Sequence, residues 1–416
     1  MSEVSALEVS NLKSMAIRSL KSWLMPVISQ RFLSRSRLLA LREKAEVKRS
    51  AQQRPHVLHF FHELEDPYSL LLAQAIPLLQ SKYSVSVVQH LVGPPEDSAV
   101  PEREKLKAYS QQDASRLAKQ YGLQWTGLPS TSETTKSISK EALLTSHRLR
   151  KKWGHYLSGV IYYEGEWYWG IDRLHHLEDR LNGLGLSKKV RMASKVEGLP
   201  LFFTPQYQSL GHVPEGSSIE FFFSLRSPYS AICCAKLFHW AKDNGVQVNL
   251  RYVLPMVMRG LPVPAEKRKY ISLDAAREAF VQNVPFGRLN DPVGKPTERG
   301  LALIPFAQMH ELAEDYVMSF MLGVWSEGLD AGTDAHLKII VERSGLNWKA
   351  AKDILKSKSN EQHWRAVAEQ NREALFALGL WGVPSFKFED TAVWGQDRFW
   401  VIEKALHDRF DLPPSH

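Results

Sequence analysis

The residues with most to offer chemically follow an apolar run. Phe221, Phe222 and Phe223 lead through Ser224-Leu225-Arg226 into Ser227-Pro228-Tyr229-Ser230. Proline is tolerated in a first helical turn because its missing N–H would have been unpaired. The motif therefore predicts a strand entering a helix that Ser227 caps. A hydroxyl there can be a plain N-cap. It can also donate a hydrogen bond to a bound thiolate, a charge that the unpaired N–H groups and the positive helix end favour as well. The pKa of an external thiol then falls and its thiolate fraction rises. Tyr270, Asp274 and Arg277 recur at i, i+4 and i+7, one face of a helix. They read mainly as an Asp–Arg pair bracing the structure, with a second role lining a substrate cavity. Cys233 and Cys234 fall in the first helix after Ser230 and read as buried packing residues. Adjacent cysteines exclude a disulfide scaffold and a Cys-rich zinc module. His56, His59 and His62 argue against a shared metal, because on a strand His59 and His62 face opposite sides. No metal site is expected.

The elements that position these residues occur twice. His59 to Ser69 aligns with Glu220 to Ser230 at an offset of 161, and the offset persists through Tyr109 over Tyr270, Asp113 over Asp274 and Arg116 over Arg277. Near the end of each copy Trp169-Gly170-Ile171-Asp172-Arg173 matches Trp394-Gly395-Gln396-Asp397-Arg398 at an offset of 225. The same order of elements is predicted in each: strand (57–61; 219–224), helix (67–80; 228–243), strand (84–91; 246–253), a helical region (102–121 and about 137–152; about 265–380), two short strands and a helix (159–163, 166–169, 171–183; 384–388, 391–394, 396–409). The opening strand–helix–strand gives parallel strands. The last two strands read as a hairpin. The fold class expected is α/β: two tandem thioredoxin-like units, each with a helical insertion, after a basic helical N-terminal segment. The boundaries are 1–53 for the basic segment, 54–185 for the first unit, 186–216 for a Gly/Pro-rich connector and 217–412 for the second unit, with its insertion at about 255–380.

The chain has 416 residues and a net charge of +8. Residues 1–54 hold eleven Lys/Arg and four Asp/Glu, so the basic charge belongs to the leader. Two readings of the leader stand open: attachment to an anionic surface, or a helical arm packed on the body with its basic residues solvated. Aromatic and basic residues are not interleaved, so nucleic-acid binding gains no support. No apolar run approaches the roughly 20 residues of a spanning helix, and the leader lacks a clean signal-peptide core. A cytoplasmic protein is expected.

The second copy resembles the DsbA-like thioredoxin superfamily, and within it 2-hydroxychromene-2-carboxylate isomerases and kappa-class glutathione transferases. Three motifs carry the resemblance: Phe222 to Ser230; Lys267-Arg268-Lys269-Tyr270 with Asp274 and Arg277; and Gly382-Val383-Pro384-Ser385-Phe386 followed by Trp394 to Arg398. It implies that glutathione is the thiol and that Ser227 stabilises its sulfur. It also implies a cis peptide before Pro384 that presents the Val383 backbone to an extended peptide. Gln396 and Asp397 would hold the γ-glutamyl end, Asp397 taking its ammonium. Arg398 makes a structural contact. Members that exchange disulfides carry Cys-x-x-Cys at the helix start; two hydroxyls cannot relay a disulfide. In the first copy Asp66 replaces the serine, and Gly159 stands where the second has Pro384. That copy reads as a degenerate partner that packs against the second or shapes its cleft.

The resulting expectation is a glutathione-dependent isomerase or transferase acting on an aromatic or electrophilic small molecule. The insertion would form the acceptor pocket from among Met256, Met258, Phe280, Phe286, Phe306 and Trp325, with core packing the role of most. The alternatives are a non-catalytic thioredoxin-fold scaffold and, disfavoured by the missing cysteines, a DsbA-family oxidoreductase. The two copies suggest an internal pseudo-dimer; further dimerisation of the chain stays open.

Overall fold

Strands β1 (Val57–His62) and β5 (Ser218–Phe223) have the same inward-facing pattern, their last three side chains all buried. Such doubly covered strands belong at the centre of a sheet. The computed structural model describes residues 23–129, 139–188, 201–203, 207–211 and 213–412. It contains two four-stranded sheets of equivalent order, β2-β1-β3-β4 and β6-β5-β7-β8.

The N-terminal segment has helices at 23–33 (α1) and Arg35–Ala51 (α2); residues 1–22 of the expected basic segment lie outside the described residues. In the N-terminal unit β1 is followed by α3 (Pro67–Lys82), β2 (Ser86–Leu91), α4 (Arg103–Tyr121), α5 (Lys140–Lys152), β3 (Val160–Tyr163), β4 (Glu166–Trp169) and α6 (Leu174–Gly183). In the C-terminal unit β5 is followed by α7 (Pro228–Asn244) and β6 (Gln247–Tyr252). The insertion holds α8 (Ala265–Val281), α9 (Lys295–Ala302), α10 (Ile304–Met309), α11 (Ala313–Leu322), α12 (Asp334–Arg343), α13 (Trp348–Ile354) and α14 (Lys358–Ala377). Strands β7 (Ser385–Phe388) and β8 (Thr391–Trp394) and helix α15 (Phe399–Phe410) close it. Each crossover pair is parallel and each closing hairpin antiparallel. Both final helices are preceded by a 3₁₀ turn, Ile171–Arg173 and Gln396–Arg398, so the residues of the two Trp-Gly motifs sit at helix entrances.

The described part of the connector is pinned to both units. Leu201 and Phe202 enter the first core, and their N–H groups donate to the buried Glu178 carboxylate. Leu210 and Val213 enter the second core. The leader bridges the units as well. Ser29 exchanges hydrogen bonds with the Leu289 backbone, whereas Arg42 pairs with Glu166 at 2.7 Å and Arg54 with Glu164 at 2.6 Å. No described helix is long and apolar enough to cross a membrane.

Candidate functional site

Ser227 has extended backbone (φ −92°, ψ 117°) and caps α7. Its Oγ accepts from the Ser230 N–H at 3.2 Å and donates to the Val383 carbonyl at 3.3 Å. The Val383–Pro384 peptide is cis. The crossover places the N-terminus of α7 beside the start of β7, which joins two motifs 156 residues apart. One cavity of about 480 Å³ is bordered by Ser227, Val383, Pro384, Gln396 and Asp397 together. Small-molecule sites typically occupy roughly 300–1,000 Å³.

Gln396 and Asp397 reach that cavity but are already engaged. The Gln396 amide donates to Glu278 and accepts from Gln282. Asp397 pairs with Arg173 of the N-terminal unit at 2.7 Å. This contact belongs to a reciprocal network between the units. Arg173 grips Asp274 and Asp397; the equivalent Arg398 grips Asp113 and Asp172. Tyr229 donates to Asp274 at 2.8 Å and Tyr68 to Asp113 at 3.0 Å. Arg277 reaches the Trp167 carbonyl and Arg116 the Ala392 carbonyl. Each contact is the other with the two units exchanged, the property of an isologous interface. The pair expected to brace the insertion, Asp274 with Arg277, therefore also ties one unit to the other.

The charges are buried, with Arg173 and Arg398 each 5% exposed and Asp274 and Asp113 each 1%. Burial is the largest single influence and penalises Asp274 and Glu278, but Arg173 together with Arg277 at Asp274, and with His176 at Glu278, holds both below the usual carboxylate range. Burial pushes Asp172 up to about 6, and the Asp397 carboxylate adds to this against the pull of Arg398. Arg173, Arg277 and Arg398 face Asp113, Asp172, Asp274 and Asp397, so the network sets carboxylate beside each guanidinium. Asp172 and Asp397 carry it to the cavity wall.

The remaining walls correct the expected acceptor pocket. Of the six residues named from the insertion, only Met256 and Trp325 border the cavity. Phe306 lies in the main core, and Phe286 stacks on Trp325. The N-terminal unit supplies Tyr68, Val100, Leu106, Tyr156, Leu157 and Trp169. The sequence reading allowed the first copy to shape the cleft but named none of these residues, although the repeated Asp113, Asp172 and Arg173 were the signal that the units meet there.

At the equivalent point of the N-terminal unit, Asp66 caps α3 and accepts from the Tyr68 and Ser69 N–H groups. Gly159 has φ +63°, and a side chain there would place its Cβ 2.8 Å from the Asp66 carboxylate. The two replacements fit one another: the acid fills the space that a side chain at 159 would need. Burial raises the Asp66 pKa, and its anion would oppose a thiolate.

Cys233 and Cys234 are buried and free, and burial raises both thiols, as expected of packing residues. His59 lies against His90 at 3.0 Å, whereas His56 bonds Tyr163. His175 and His176 converge on Glu278, a cluster that sequence reading missed. Arg173 stands 3.6 Å from that same carboxylate oxygen and supplies positive charge there. We read the cluster as interface packing.

Residues 218–407 match the family described as DSBA-like thioredoxin domain, a little under half of the chain. The 2-hydroxychromene-2-carboxylate isomerase of Sphingobium xenophagum is 24% identical over 199 residues, 46% of this chain and 98% of the relative. The enzyme of that name from Pseudomonas putida is 22% identical over 196 residues, 45% of this chain and 93% of the relative. Among solved structures, a 2-hydroxychromene-2-carboxylate isomerase covers 47% of this chain and all of its own at 21% identity and a TM-score of 0.41. The cytosolic disulfide reductase DsbM of Pseudomonas aeruginosa with GSH covers 47% of this chain and all of its own at 16% identity and a TM-score of 0.35.

Proposed function

We propose that the DSBA-like thioredoxin domain of residues 218–407 binds glutathione and uses its thiolate to isomerise, or to add to, an aromatic or electrophilic small molecule. One observation carries this reading: the Ser227 hydroxyl, at a helix N-terminus and facing the cis Val383–Pro384 peptide, borders a ligand-sized cavity. The hydroxyl proton turns from the Val383 carbonyl to the incoming sulfur. The freed Val383 backbone then pairs with the extended peptide. The carboxylates of Asp172 and Asp397 at the cavity wall suit the γ-glutamyl ammonium, and Asp397 acts with Arg173 beside it and not as an isolated anion. In isomerisation the thiolate forms a C–S bond to an electrophilic carbon, the adduct rotates, and the same bond breaks to return the thiolate. In transfer the C–S bond persists: on displacement the leaving group departs with the bonding pair, and on addition the resulting anion takes up a proton.

The N-terminal unit takes the place of a partner subunit. Its reciprocal ion pairs support an origin by tandem duplication and an internal pseudo-dimer. Calorimetry with glutathione separates the readings. Wild type is expected to bind, with loss of roughly tenfold in affinity for Asp397→Ala, the scale of one charge-assisted contact. A scaffold gives no binding, and a redox enzyme reduces insulin.

The leader supports a peripheral contact with an anionic membrane surface. Trp23 is 72% exposed, Val27 51% and Ile28 55%, whereas Pro26, Ser29 and Leu33 of α1 are buried. Arg31 and Arg35 are exposed close by. Such a face inserts its apolar side chains while its cations meet the headgroups. The full chain is expected to float with phosphatidylglycerol vesicles and not with phosphatidylcholine alone, and the double variant Trp23→Ser/Ile28→Ser to stay in solution. Equal flotation of variant and wild type contradicts this contact.

A further inference from the structure

A second cavity, of about 400 Å³, lies in the N-terminal unit. Its volume is within the range of small-molecule sites. Its place in that unit is the place of the Ser227 cavity in the other. Glu63 and Asp66 border it, and their equivalents at the offset of 161, Ser224 and Ser227, border the first cavity. Two hydroxyls at one helix entrance are thus two carboxyls at the other. Tyr68, Val100, Leu106, Leu157 and Trp169 border both cavities and give them a shared, largely apolar wall.

The two carboxyls have no cation of their own among the described residues. Arg103, which borders the cavity, is engaged by Asp97 at 2.6 Å, and Lys107 is exposed. Arg150 donates to His147 and acts on Glu63 only from a distance. Asp66 holds its cap bonds to the Tyr68 and Ser69 N–H groups, with the Ser158 hydroxyl 3.4 Å away. Burial and the adjacent Asp66 push Glu63 up to about 7, against the pull of Ser158, Arg150 and Arg103. A carboxyl so placed ionises readily once a cation sits beside it. Glu65 and Glu104 add exposed negative charge at the same cavity, offset in part by Lys107. An ammonium on an apolar body complements this arrangement, its body on the shared wall and its charge at Glu63. A metal ion would need several further oxygen ligands, and most of the wall is apolar.

We infer that the N-terminal cavity is a second binding site of the chain, taking a protonated amine with an apolar or aromatic body. Glu63 receives the ammonium. Asp66, fixed by its cap bonds, cancels the positive end of α3 and adds negative charge. Tyr68 and Trp169 supply wall for the body of the ligand. The site stands apart from the glutathione reading: the helix entrance that favours an anion in one unit favours a cation in the other.

The test uses the full chain with 1-naphthylmethylamine and its neutral isostere 1-naphthylmethanol as probes in calorimetry. The amine is expected to bind roughly tenfold more tightly than the alcohol, the scale of one charge-assisted contact. Glu63→Gln is expected to remove that advantage and to leave the alcohol's affinity intact. Its melting temperature should hold at neutral pH, because the change removes a carboxyl that burial and Asp66 disfavour. In wild type, amine affinity is expected to rise roughly tenfold from pH 6 to pH 8 as Glu63 ionises, and in Glu63→Gln to stay level. Amine affinity lost in Asp397→Ala but kept in Glu63→Gln places the amine in the Ser227 cavity and overturns the proposal. Equal affinity for amine and alcohol overturns it too, and so does a level pH profile in wild type, which needs no variant.

Discussion

Arg398→Leu is expected to lower the unfolding free energy by about 3–5 kcal/mol, the cost of leaving a buried ion pair with one partner. Arg398 is the sole guanidinium hydrogen-bonded to both Asp113 and Asp172 among the described residues. Leucine fills much of its volume but strands two carboxylates at the centre of the interface. The double change Arg398→Leu/Asp113→Leu is expected to recover part of the loss, because removing both charges is cheaper than removing one. Urea denaturation measures both; a loss below about 1 kcal/mol, the ordinary value of an exposed pair, contradicts a buried network. The same network sets the acid limit. Asp274 and Glu278 titrate below their ordinary values, and Glu166, paired with Arg42, falls to about 2 although burial opposes it. A depressed carboxylate contributes stability above its unfolded pKa and loses it as pH falls toward the folded value. Interface stability is therefore expected to decline from about pH 4.5 toward 2.

Ser227→Ala is expected to reduce turnover roughly 10–100-fold at neutral pH. A hydrogen bond to a charged group contributes about 1.5–3 kcal/mol, which corresponds to about 1–2 units of thiol pKa. The loss should shrink as pH rises, because the thiol then ionises without help. The structural role of Ser227 gives a different signature. Its N-cap bond to Ser230 contributes about 1 kcal/mol of stability, with no dependence on the ionisation of a thiol. Ser227→Thr keeps the hydroxyl and is expected to retain most of the activity. A uniform loss across the pH range, equal in Ala and Thr variants, would sink the thiolate role.

The elements around the site were legible because local signals agreed with one another. Pro67 and Pro228 mark helix starts, Glu164-Gly165 and Glu389-Asp390 mark the hairpins, and apolar strands flank them. The constant offset then gave the second unit from the first. That the first copy packs on the second or shapes its cleft was anticipated; which residues make that surface was not. Asp274 and Arg277 are neighbours on one helix, so spacing suggested a local brace; that Arg173 inserts between the units depends on how two sheets pack, which no short-range pattern encodes. The cavity wall was misplaced for the same reason. Phe280 and Phe306 are apolar like Leu106 and Trp169, and composition cannot say which face the cavity.

The most direct measurement is the titration of glutathione's sulfur while bound to the full chain, followed by the ultraviolet absorbance of the thiolate. The expected result is a bound pKa at least about one unit below the ordinary thiol value near 8.5, returning toward that value in Ser227→Ala. A bound thiol that titrates like the free peptide, or no saturable binding at millimolar glutathione, contradicts the assignment of Ser227 as the group that holds the sulfur as an anion.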